Sequence, residues 1–188
     1  NQEALLLFSI KADEYNDRFV KEIMLNPPPI LNHNTGKTQV SITETGNIGF
    51  TEFSGSYGQG FIYNDKNFLF EGGLIIASSP TKVSDALRSE GDGRSADFSV
   101  QENTRMQIFY GKDQSVKEIG ISSITDKSAL NGNKVNVTQY TYADSNKIND
   151  DFVIFKYKIS SSENDFLSDI YTGLFFDWDL NDDATDYA

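Results

Sequence analysis

The residues that could do chemistry in this chain are concentrated near its end. In "GLFFDWDLNDD" (173–183) an apolar run breaks into acid. Asp177, Asp179, Asn181 and Asp183 alternate at positions 1, 3, 5 and 7 of a loop. That is the spacing at which successive oxygens converge on one hard cation such as Ca2+. An EF-hand is excluded, because its sixth position, normally Gly, is Asp182, and its twelfth, normally a bidentate Glu, is Ala188. A looser calcium site on a β-structure remains, with all four residues as candidate metal ligands. The competing reading is a strand end. Leu174, Phe176 and Trp178 would then face one way, and Phe175, Asp177 and Asp179 the other.

Other chemistries find less support. Glu71 sits inside "FLFEGGLII" (68–76), where a carboxylate is costly unless paired. Arg88 or Lys82 is a candidate partner. Asp177 or Asp179 would instead complete the pair of carboxylates that glycoside hydrolysis requires. The simpler reading of Glu71 is a salt bridge or a solvent-facing position at a bulge. His33 is the sole His; it follows the Pro run 27–29 and reads as an exposed loop residue, which leaves no Ser-His-Asp triad. The absence of Cys excludes disulfides, thiolate catalysis and Cys-type zinc sites. Gly55, Gly58 and Gly60 run in the reverse order of the dinucleotide fingerprint, with no P-loop Lys after them, so they read as turns. Tyr57, Tyr63, Tyr140, Tyr142 and the single Trp178 could furnish a carbohydrate-binding face; strand-borne Tyr also serve as cross-strand packing partners.

Charge narrows the partners. The formal net charge is -12, and residues 141–188 hold 11 Asp/Glu against 3 Lys. A phosphate backbone or an anionic lipid surface requires a basic face, so nucleic acid and such membranes are disfavoured. No run of 18 apolar residues is present to span a membrane as a helix. With 14 Phe and 9 Tyr in 188 residues, the chain has material for a sizeable core.

The elements that must position these residues read as strands. "ALLLFSIKA" (4–12) and "FVKEIML" (19–25) form a hairpin around "DEYND", followed by the stiff "NPPPI" connector. Residues 37–50 alternate as a half-buried strand, and 68–80 read as an apolar strand interrupted by Glu71-Gly72-Gly73. Paired Gly inside a strand predicts a bulge or a close backbone approach. Residues 82–89 read as a strand or a helical turn. Further strands are expected at 98–101, 104–110, 117–124, 133–143, 151–161 and 170–177, with a hairpin turn at "NGNK" (131–134). "SENDFLSD" (162–169) is the one stretch suited to starting a short helix. The expectation is an all-β antiparallel β-sandwich of ten to twelve short strands with little helix. Residues 1–36 are read as a hairpin plus connector, either the end of a preceding Ig-like module or an edge addition. Residues 37–188 are read as the sandwich domain, cut at its C-terminal end.

"TETGNIGF", "GQGFIYNDKNFLFEGGLIIASSPTKVSDALRS" and "IYTGLFFDWDLND" resemble blocks in the non-catalytic region of secreted bacterial subtilisin-like proteases. In those proteins a β-rich segment follows the catalytic domain and precedes a C-terminal sorting domain of the type IX secretion system. The resemblance implies an extracellular or cell-surface accessory domain that is not itself an enzyme, since no subtilisin catalytic block is present. The expected function is thus structural, with calcium as the candidate cofactor and neighbouring domains of a parent chain as partners. The alternatives are a carbohydrate-binding module that takes glycans, and a structural subunit of a surface fibre or adhesin that pairs with like subunits through exposed strand edges.

Overall fold

A computed structural model describes residues 3–12, 15–24, 30–50, 58–87, 95, 97–101, 104, 106–110, 117–163 and 166–180, the first two segments as backbone. All regular structure among them is strand. β1 (Glu3–Ala12) and β2 (Tyr15–Met24) form the expected antiparallel hairpin, in register from Glu3↔Met24 to Ala12↔Tyr15. Next come β3 (Ile30–Thr35), β4 (Thr38–Thr43), β5 (Ile48–Gly49), β6 (Phe61–Tyr63), β7 (Lys66–Asn67), β8 (Leu69–Ser79) and β9 (Lys82–Asp85). They are followed by β10 (Ser99–Val100), β11 (Gln107–Tyr110), β12 (Glu118–Thr125), β13 (Val135–Ala143), β14 (Val153–Ser161) and β15 (Tyr171–Trp178).

Beyond the hairpin, the strands make two antiparallel sheets. The larger has eight strands, ordered β15-β8-β5-β4-β6-β7, with β3 on β4 and β9 on β8. The smaller has five, ordered β10-β12-β13-β14, with β11 on β12. The sheets face each other, because each apolar cluster joins them. Leu74 and Ile76 of β8 pack with Phe98, Ile124, Val135 and Val137. Val40, Ile42, Ile48, Leu69 and Met106 form the second cluster, against which Val153 and Phe155 of β14 pack. The strict burial alternation of β12 and β13 is the period-two signature of strands with one face turned inward.

Several local expectations change. Residues 30–35, read as the end of a connector, form β3, because Thr35-Gly36-Lys37-Thr38 closes a hairpin with β4. Gly36 has φ 69°, and a Cβ there would stand 2.5 Å from the Asp144 carbonyl oxygen, so the turn requires Gly. Residues 82–85 are strand, not a helical turn. No helix is seen among the described residues of 162–169, where Asp169 has φ 55°. The β12–β13 connection is not a tight "NGNK" turn. It runs from 126 to 134 and wraps around a buried carboxylate, Asp126.

Candidate functional site

The acidic end is built on β15. Its register with β8 places Asp177 opposite Glu71, then slips so that Trp178 faces Leu69. Phe176 and Trp178 stack on one face with ring centroids 5.3 Å apart, and Trp178 meets Phe61 edge-on at 6.1 Å. Phe176 and Trp178 thus share a face of β15, as alternation along a strand places them. A Cβ on Gly72 would stand 2.5 Å from the Phe176 ring, and Gly73 lies against the backbone of Ala86. The paired Gly mark both a close approach and the neighbourhood of the bulge.

The structure thus brings Glu71 and Asp177 opposite each other on adjacent strands, and neither residue is without a partner. Lys82 is not placed to pair with Glu71. It sits opposite Ser79 at the far end of β8, eight residues and roughly 26 Å along the strand. Arg88 lies outside the described residues. Asp179 donates its backbone N–H to the Phe68 carbonyl at 2.9 Å, which extends the strand pairing past the bulge. Asn181 and Asp183, the other two candidate calcium ligands, lie outside the described residues. Among the described residues no group of three or more His, Asp or Glu is arranged to hold a metal ion. Asp85, on the neighbouring β9, is held above the usual carboxylate range. Burial is the main cause, opposed by the Leu87 N–H, and the charges of Asp97 and Glu71 add to it.

His33 overturns its sequence reading. It is not an exposed linker residue but lies on the inward face of β3, at 0 % exposure. Its Nδ1 is 3.0 Å from Glu118 Oε2, and its Nε2 is 2.6 Å from Thr141 Oγ1. Glu118 also accepts the backbone N–H of Asn34 at 3.1 Å. Gly120 makes room for the group: a Cβ there would stand 3.2 Å from His33 Nε2 and collide with Thr141 Oγ1. Hydroxyl, imidazole and carboxylate are connected as in a nucleophilic triad. Thr141 and Glu118, however, are only 2 % and 5 % exposed, so a substrate has no approach to the hydroxyl. What the three groups do is fasten the two sheets, since β3 belongs to one and β12 and β13 to the other.

A second polar fastening lies at the far end of the sandwich. The Asp126 carboxylate accepts Ser84 Oγ, the Asn133 N–H and the Val135 N–H, each at 2.6 Å. Asn133 Nδ2 donates to the Ile76 carbonyl at 3.0 Å. A third tie pins the β3–β4 turn. Lys37 donates its N–H to the Asp150 carbonyl and its Nζ to Asp150 Oδ1, at 2.8 and 3.0 Å. That carboxylate holds the Lys37 ammonium above its usual range.

The Tyr candidates do not share one face. Tyr140 and Tyr142 lie side by side on the outward face of β13, Tyr63 belongs to β6 of the other sheet, and Tyr57 lies outside the described residues. Sequence reasoning missed His33 and Asp126. The period-two series Leu31, His33, Thr35 was a signal for β3, outweighed by the adjacent Pro run. A scan against protein families finds no match for this chain, and searches of curated proteins and of solved structures return no similar protein.

Proposed function

We propose that this chain is a non-catalytic structural domain of a secreted or cell-surface bacterial multidomain protein, of the kind that accompanies subtilisin-like proteases. The observation that carries this reading is the use made of the His33–Glu118–Thr141 group. The one imidazole of the chain, with its carboxylate and hydroxyl, is buried between the sheets and spent on joining them. A hydroxyl nucleophile works only where a substrate carbonyl can reach it. The resemblance of "GLFFDWDLND" and the Gly-rich blocks to protease accessory regions supplies the biological setting. The test is an assay of the full chain against peptide, ester and glycoside substrates. No turnover is expected. Turnover that disappears in Glu118→Gln, a variant whose fold is verified by circular dichroism, would overturn the proposal.

Calcium stabilisation through Asp177, Asp179, Asn181 and Asp183 belongs to the same reading. It requires the melting temperature to rise with excess Ca2+ and fall with chelator, since a ligand of the native state stabilises it. An unchanged melting temperature removes calcium and leaves the structural role intact.

A further inference from the structure

The outward face of the five-stranded sheet differs from the rest of this acidic chain. Register places Ile121, Tyr140 and Lys156 in one row across β12, β13 and β14, and Ser123, Thr138 and Lys158 in the next. Tyr142 lies beside Tyr140, in a row with Ile154, which is 49 % exposed. The alternate residues of β12 and β13 are the buried ones, so these side chains point away from the core. Lys156 and Lys158 are exposed, and Lys156 Nζ stands 5.7 Å from the centre of the Tyr140 ring. None of the residues that β11 to β14 present on this face is Asp or Glu, in a chain with 28 of them.

We propose that this face binds an acidic polysaccharide. Its carboxylate or sulfate groups pair with Lys156 and Lys158, which stand about 7 Å apart along the strand. Its sugar rings lie on Tyr142, while Tyr140 lies under the Lys156 ammonium, and its hydroxyls exchange hydrogen bonds with Ser123 and Thr138. Charge complementarity selects an anionic occupant. The net charge of the whole chain repels such a polymer at a distance, but at physiological ionic strength charges beyond about 8 Å are largely screened. At contact, the local sign decides. The place of the two tyrosines on an interior strand selects a glycan over an acidic peptide. Peptides dock on sheets by adding a strand at an edge or by filling a groove. β13, which carries both tyrosines, is paired on both sides, so its backbone is satisfied and it offers only ring faces and hydroxyls; β14, which carries the lysines, ends the sheet, and the oligoglutamate arm of the test reads out a strand added there. This inference goes beyond the structural role and stands or falls separately from it.

The test is isothermal titration calorimetry of the full chain with oligogalacturonate, a dextran sulfate oligomer, neutral dextran and oligoglutamate. Binding of at least one acidic glycan is expected, with none of neutral dextran or oligoglutamate. The double variant Lys156→Ala, Lys158→Ala should weaken that binding at least tenfold, and Tyr142→Ala at least threefold. Unchanged melting curves would show that both variants keep the fold. Absence of binding to both acidic glycans, or binding that survives the lysine substitutions, would overturn the proposal. So would oligoglutamate binding with equal affinity and the same lysine dependence, which would assign the face to an acidic protein.

Discussion

The two polar fastenings between the sheets solve the same problem in different ways. At one end, Glu118 is held by an imidazole and one backbone N–H, and the imidazole is held in turn by Thr141. At the other end, Asp126 meets no cationic group among its hydrogen-bond partners; a serine hydroxyl and two backbone N–H groups surround it. A carboxylate inside a sandwich can therefore be satisfied by a partner that itself carries a proton, or by neutral dipoles alone. Carboxylates that accept several N–H bonds are well stabilised without a counter-charge. The difference has a structural consequence. The Asp126 arrangement also shapes a turn, because two of its three donors, Asn133 and Val135, lie in the 126–134 connection and at the first residue of the strand it leads into. The His33 arrangement shapes no turn and joins strands 85 and 108 positions apart in sequence.

The comparison is tested most severely by Asp126→Ala. It orphans two buried donors, Ser84 and Val135, at about 1–3 kcal/mol each and the half-buried Asn133 N–H besides, and a loss of about 4 kcal/mol is expected in urea unfolding. A loss under about 1 kcal/mol would mean that the turn holds without the carboxylate. His33→Ala should cost somewhat less, about 3 kcal/mol, because Glu118 keeps its Asn34 donor. A double-mutant cycle with Glu118→Gln should show a coupling of more than about 1 kcal/mol, and additive effects would show that the two side chains act independently.

Two smaller effects sharpen the same point. Tyr157 points into the interior from β14, and its hydroxyl has no hydrogen-bond partner among the described residues. Burial pushes this phenol well above its usual range. If satisfaction of polar groups is what the interior rewards, Tyr157→Phe should stabilise by about 1 kcal/mol, read as a higher melting temperature. The smallest effect concerns Asp85. Its raised pKa means that the folded state binds the proton more tightly than the unfolded chain. Its contribution to stability is thus fullest below the ordinary carboxylate pKa and is lost as pH rises through the folded value. Asp85→Asn keeps an acceptor for the Leu87 N–H and removes that loss. A gain of about 0.5 kcal/mol at pH 7 is expected, kept small because the carboxyl is partly solvated, and it should vanish near pH 3. An equal gain at both pH values would show that charge is not the cause.

The strands were legible because alternation is a local property. Val135 to Ala143 and Val153 to Ser161 repeat every second residue, and that repeat survives whatever the partner strand is. The Gly72-Gly73 pair was legible for a similar reason, since only a missing Cβ admits Phe176 on one face and Ala86 on the other. The candidate acid segment was legible as a strand end, while its proximity to Glu71 was not, because that depends on a register set by residues a hundred positions away.

By itself, the sequence determined that this is an antiparallel all-β chain without thiol chemistry, whose acid is concentrated near its end. Tertiary structure alone decided which polar residues are interior. His33 beside a Pro run and Asp126 in a polar turn look exposed to any local reading. Each is buried because a second sheet brings a matched donor or acceptor to it, and only that pairing offsets the cost of leaving water. The same closure decides what faces out: it leaves Lys156 and Lys158 beside two tyrosines where β11 to β14 present no acid, a grouping that exists only once three strands are in register.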